Sequence, residues 1–245
     1  ILAVTNNGYS RQFISLIDTA QDTVLVELNV EKAFYGLAYS PDGRILYASG
    51  GGDEQILMWQ LAGNIPVPLP AISLRDSAAP PKIFPAGVAI SGDNTCLYVA
   101  ENRDNCLSIV SVETRTVSKR IEVGPFPYDI RVARGLDKIY VSIWGGSRIC
   151  VLNSKDQTVT GEVLVGDHPN AMQLSQDESL LYVACANTDE VCVIDTALDT
   201  VIEWIQLHPY PNAPFGSTPN ALALTPDGST LFVANATNND VAVVD

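Results

Sequence analysis

The side chains able to do chemistry are few in this chain, and they are scattered. It holds two histidines and five cysteines in 245 residues, and no Cys-x-x-Cys pair, so the ligand spacing of a zinc site is absent. No Gly-x-Ser-x-Gly elbow, phosphate-binding Gly-x-x-x-x-Gly-Lys loop or His-Glu-x-x-His pair occurs. Gly50-Gly51-Gly52 sits in a turn and does not open a helix, so it lacks the aligned N–H groups of a phosphate loop. Asp and Glu fall mostly in polar turns, without a spaced pair suited to acid–base work. These observations assign no catalytic residue, no metal and no cofactor. What does recur is aromatic rings beside amides and carboxylates, a chemistry of recognition by stacking and hydrogen bonding. The binding candidates are Tyr35, Glu101, Asn102, Tyr128, Trp144, His168, Asn170, Asn187, Asn220 and Asn235, with Phe34, Phe84 and Phe126 beside them. The plainer alternative is that rings and prolines recur because they shape a turn; Trp144 and His168 escape it best, since neither type recurs at its equivalent position.

The elements that must position these residues come from an internal repeat. Tyr47, Tyr98, Tyr140, Tyr182 and Phe232 each begin one copy of a pattern, spaced 42 to 51 residues apart. Ile56, Leu107, Ile149, Val191 and Val241 come after them at a fixed distance, and Phe34, Pro85, Pro127, Pro169 and Pro219 precede them. Within each copy apolar residues alternate, as in Leu97-Tyr98-Val99, and turns such as Ser40-Pro41-Asp42-Gly43 separate the runs. Four short antiparallel strands per copy at this period predict an all-β fold, a β-propeller of four-stranded blades. The expected units are 1–30, 33–74, 84–124, 126–166, 168–207 and 218–245, forming a single incomplete propeller domain over 1–245. The first unit lacks its first strand and the last its fourth, so about five and a half blades of a seven-bladed ring are expected here. The lead-in to the first strand and the hairpin between the second and third emerge at one end of each blade, which gathers the candidate residues at a channel mouth. Small residues at alternate first-strand positions, Gly36 and Ala38 or Gly87 and Ala89, let neighbouring blades approach. Asp129 and Arg131 break that series, as an ion pair or as a channel-facing site. Two proline-rich stretches, Asn64 to Pro81 and His208 to Ser217, read as insertions.

The bulk properties narrow the partners. A net charge of −14 repels nucleic acid and anionic membrane. No apolar run approaches the roughly 20 residues of a membrane-spanning helix. The chain opens inside a strand pattern, Ile1 to Thr5, which leaves a trimmed leader and export open. Cys185 and Cys192 could face each other across one hairpin and form a disulfide; buried thiols are the alternative.

Leu97-Tyr98-Val99-Ala100-Glu101-Asn102, with its copies Leu181-Tyr182-Val183-Ala184 and Leu231-Phe232-Val233-Ala234-Asn235, resembles the YVTN-type repeat of secreted and surface-layer β-propellers. Three further segments are similar to the N-terminal propeller domain of bacterial proteins that join such a ring to an alkaline-phosphatase-type phosphoesterase domain. They run from Leu2 to Gln12, Tyr35 to Gly43 and Gly216 to Leu224. The resemblance implies a non-catalytic binding or scaffold module of an exported bacterial protein, periplasmic or at the cell surface. It would be accessory to a downstream phosphoesterase and would engage a protein, glycan or small molecule at the channel mouth. The catalytic residues of such a phosphoesterase would lie beyond residue 245, and none is carried over. A free-standing surface-layer or partner-binding propeller is the alternative, and a lactonase-like or dehydrogenase-like propeller enzyme the second.

Overall fold

The computed structural model describes residues 1–8, 11–32, 34–61, 65–75, 83–208, 210 and 216–245. They form six small antiparallel sheets, each a meander of consecutive strands. Sheet one is β1 (Leu2–Asn6), β2 (Phe13–Asp18) and β3 (Thr23–Asn29). Sheet two is β4 (Leu37–Tyr39), β5 (Ile45–Ser49), β6 (Gln55–Gln60) and β7 (Val67–Ser73). Sheet three is β8 (Pro85–Ile90), β9 (Cys96–Glu101), β10 (Cys106–Ser111) and β11 (Thr116–Glu122). Sheet four is β12 (Pro127–Ala133), β13 (Lys138–Ile143), β14 (Arg148–Asn153) and β15 (Thr158–Leu164). Sheet five is β16 (Pro169–Leu174), β17 (Leu180–Cys185), β18 (Glu190–Asp195) and β19 (Thr200–Gln206). Sheet six is β20 (Pro219–Leu224), β21 (Leu231–Asn235) and β22 (Asp240–Val244). Two compact units, Ile1–Arg120 and Ile121–Asp245, divide the chain within β11. No described helix is long and apolar enough to cross a membrane.

The alternation read from sequence sets the packing. In the first unit Tyr47, Ile56, Met58 and Ile72 of sheet two close on Val88, Ile90, Leu97 and Val99 of sheet three. In the second, Tyr140, Ile149 and Val151 of sheet four close on Met172, Leu181 and Val183 of sheet five. Each fully buried aliphatic side chain contributes roughly 1.5–3 kcal/mol. The last strands are the outer edges, and β11, β15 and β19 are mostly exposed.

Close approach of first strands explains the small residues. A Cβ built on Gly36 would lie 2.2 Å from the carbonyl oxygen of Ala86, so only glycine lets β4 reach β8. In sheet four the same place is taken by Asp129, and its carboxylate is used as a fastener. The Oδ2 atom accepts the Met172 N–H of sheet five at 2.9 Å, and Oδ1 accepts from Arg131 Nη1 at 2.8 Å. Asp129 is buried, so the ion pair and the inter-sheet bond account for this break in the series.

The stretch between Asn64 and Pro81, expected to be an insertion, is corrected in part. Val67–Ser73 is the fourth strand of sheet two. Its Pro68 and Pro70 are tolerated because β7 is an edge strand, where alternate N–H groups face solvent. Residues 62–64 and 76–82, including Pro80 and Pro81, lie outside the described residues, as do Pro209, Pro211 and Pro214 of the second stretch and Tyr9 and Ser10 of the first similar segment. All five cysteines are free, and Cys185 Sγ meets Cys192 Sγ at 3.5 Å as a buried thiol pair.

Candidate recognition site at the loop end of sheets four and five

Sheets three to six each join their lead-in loop to their second hairpin by backbone hydrogen bonds. Trp144 N–H donates to Phe126 O at 3.1 Å and Gly145 N–H to Pro125 O at 3.2 Å. Ala186 and Asn187 make the same pair of bonds to His168 O and Asp167 O, at 3.1 and 3.2 Å. The residue just before the opening proline is held at positive φ in three sheets: Phe126 at 54°, His168 at 53° and Thr218 at 54°. A non-glycine residue in this region is strained, and a following proline adds to that cost. The clasp bonds hold it there and turn its side chain to the loop end.

In sheets four and five these clasps bring together an aromatic and polar cluster. Phe126 meets Trp144 edge to face, with centroids 6.1 Å apart, and Trp144 meets the His168 ring at 4.2 Å and 87°. Asn187 Nδ2 contacts His168 Nδ1 at 2.8 Å and donates to Asp167 Oδ2 at 3.1 Å. Asp167 Oδ2 lies 2.9 Å from Nδ1, a contact that becomes an ion pair once the ring is protonated. Ser147 Oγ donates to Asp167 Oδ1 at 3.1 Å. Burial pushes the Asp167 carboxyl up, but the bonds from His168, Asn187 and Ser147 outweigh it and hold the group below its ordinary value. Phe126 and Trp144 remain 44% and 38% exposed, so rings lie open to solvent at this end.

The other sequence candidates are placed differently. Tyr128 is half-buried, and burial, with Asp129 adding to it, pushes its phenol up to about 12. Asn170 is buried and fastens sheet five to sheet six through Nδ2 donating to Pro219 O at 2.9 Å. Asn220 is exposed on β20. Asn235 is buried, with Nδ2 donating to Asp240 Oδ1 at 2.9 Å. In the first unit Tyr35 and Asn102 are half-buried, and Asn102 N–H donates to Phe84 O at 2.9 Å. Glu101, expected at the open end, is fully buried at the last residue of β9. It accepts from Ser108 Oγ and from Arg120 Nε, the latter at 3.1 Å, which occupies its carboxylate internally. Asp167, Ser147 and Gly145 were not among the sequence candidates. Their signal was positional: Asp167 precedes the one lead-in histidine, and Gly145 stands where sheet three carries Arg103.

No family model matches the chain, and no curated protein matches it in sequence. Solved structures do. A hydrazine synthase from Kuenenia stuttgartiensis is similar over 87% of this chain and 76% of its own, at 16% identity and a TM-score of 0.67. A functionally unknown protein from Desulfotomaculum acetoxidans is similar over 95% of this chain and 75% of its own, at 13% identity and a TM-score of 0.75. The fold is a β-propeller. Since 1592 chains of solved structure match, the propeller by itself selects no activity.

Proposed function

We propose that this propeller is a non-catalytic binding module of an exported bacterial protein, accessory to a phosphoesterase domain of the same protein. It engages its ligand or partner at the loop end of sheets four and five. The observation that carries the reading is the convergence of exposed Trp144 and Phe126 with His168, Asn187 and Asp167 on strained, clasped loops. Rings open to solvent beside fixed polar groups are the composition of recognition sites, and strain held in loops is a mark of function. The accessory role and export rest on the similarity of the repeat words to secreted propellers.

The test is a paired array experiment. Glycan and peptide arrays are probed with the native chain and with Trp144→Ala, folding being checked by circular dichroism. Signals present with the native chain and lost with Trp144→Ala are expected. An unchanged pattern, or no signal from the native chain, would remove this surface as the binding site.

A further inference from the structure

The repeat carries an internal precedent for what the site binds. In sheet three the lead-in ring is Phe84, and the guanidinium of Arg103 lies over it at 5.1 Å. In sheet five the same two positions are His168 and Asn187, hydrogen-bonded at 2.8 Å, and in sheet six Thr218 and Thr237, bonded at 2.9 Å. These two positions therefore form a complementary pair: a cation on a ring, an amide on an imidazole, a hydroxyl on a hydroxyl. In sheet four the pair is Phe126 and Gly145, where glycine has no side chain to offer. The next residue back is Trp144, whose indole stands 38% exposed with His168 against it. Beyond the imidazole lies Asp167, whose side chain is 47% exposed. Its carboxylate has about four acceptor sites and uses three of them on His168, Asn187 and Ser147.

We propose that the Trp144–Asp167 corner receives an arginine side chain of a partner polypeptide, the external counterpart of the guanidinium that Arg103 supplies in sheet three. A guanidinium is planar and stacks on an indole, while its N–H fork matches a carboxylate. The chain's net charge of −14 favours the approach of a basic segment over an acidic one. A neutral sugar would use the ring face and the Asn187 amide but gain nothing from the charge on Asp167. The assignment rests on the loop-end reading above and names its ligand class.

The test is an NMR titration of the indole N–H signals of the native chain with L-arginine amide, and separately with the neutral disaccharide cellobiose. Trp144→Phe assigns the Trp144 signal, and the signals of buried Trp59 and exposed Trp204 report fold integrity and non-specific effects. Arginine amide is expected to shift the Trp144 signal saturably, cellobiose is not, and Asp167→Asn is expected to weaken the arginine response at least about fivefold. A comparable response to cellobiose, an Asp167→Asn variant that binds arginine amide as the native chain does, or no arginine response at all would overturn the cation assignment. Neutral array ligands lost with Trp144→Ala would in that case leave the loop-end site standing, whereas an array pattern indifferent to Trp144 would sink the site itself.

Discussion

Glu101 shows how burial changes what one carboxylate can do. The isoleucine and cysteine at its position in sheets four and five, Ile143 and Cys185, are fully buried, and Glu101 takes the same seat. Desolvation pushes its carboxyl above the ordinary value, while Ser108 and Arg120 pull it back without cancelling the rise. The folded chain therefore holds this proton more tightly than the unfolded one. Its contribution to stability is fully present below the unfolded pKa and is lost as pH rises through the folded one. Urea unfolding of the native chain and of Glu101→Gln is expected to show the native chain gaining on the variant as pH falls from about 7 to about 4. A gain toward high pH would mean that the Arg120 pairing outweighs burial. Glu101→Ala, which leaves Arg120 and Ser108 without their acceptor, is expected to cost about 2 kcal/mol. That is less than for a fully buried pair, because the Arg120 side chain is 30% exposed.

The element scale holds what the sequence displayed best and one thing it concealed. The strands were legible as short apolar runs because the middle strands are buried on both faces, and Ser/Thr-x-Asp turns marked the hairpins because their bonds are local. In the Ser175–Leu180 turn, Ser175 Oγ donates to Asp177 Oδ1 at 2.6 Å, Ser179 N–H donates to the same oxygen at 3.1 Å, and Leu180 N–H donates to Ser175 Oγ at 3.0 Å. These bonds hold Asp177 down to about 2, with the Ser175 hydroxyl the largest cause. A lowered carboxylate stabilises above its unfolded pKa, and that contribution fades as pH falls through the folded one. Asp177→Ala is accordingly expected to lower the melting temperature at neutral pH, with the deficit shrinking between about pH 4 and 2; a deficit independent of pH would refute the turn's electrostatic role. The proline-rich β7 was concealed because Pro in a sequence argues against a strand, and only its place at an edge reverses that argument. Contact between first strands was legible only as a run of small residues; their necessity is a distance. Gly36→Ala should destabilise by about 3 kcal/mol, since its Cβ would meet backbone on β8. Gly161→Ala, on exposed β15 with nothing within 4 Å of the added carbon, should stabilise by about 0.5 kcal/mol. Equal effects in chemical denaturation would contradict the close-approach account.

At the scale of the molecule, the repeat gives each sheet two apolar faces, and within the second unit sheet five covers one of those of sheet six. The covered face packs Leu231 and Val233 against sheet five with Val191 and Leu207. The other aligns Ala223, Phe232 and Val243 across its three strands, since Ala223 pairs with Phe232 and Phe232 with Val243. Phe232 is 40% exposed and Val243 61%, whereas the residue equivalent to Phe232 in sheet four, Tyr140, is fully buried. A contiguous apolar sheet face of this kind is a surface that associates by burying its side chains. The sequence displayed the apolar runs that make this face; it could not display the exposure of Phe232 and Val243, because that depends on neighbours in space. Sedimentation velocity of the chain Ile1–Asp245 is expected to show an s-value that rises with concentration. A Phe232→Ser, Val243→Thr double variant, whose core face is untouched, is expected to stay at the monomer value and to bind less of a hydrophobic-surface dye. A native chain that sediments as a monomer at every concentration, or a double variant that associates as strongly as the native chain, would show that this face is not what drives contact.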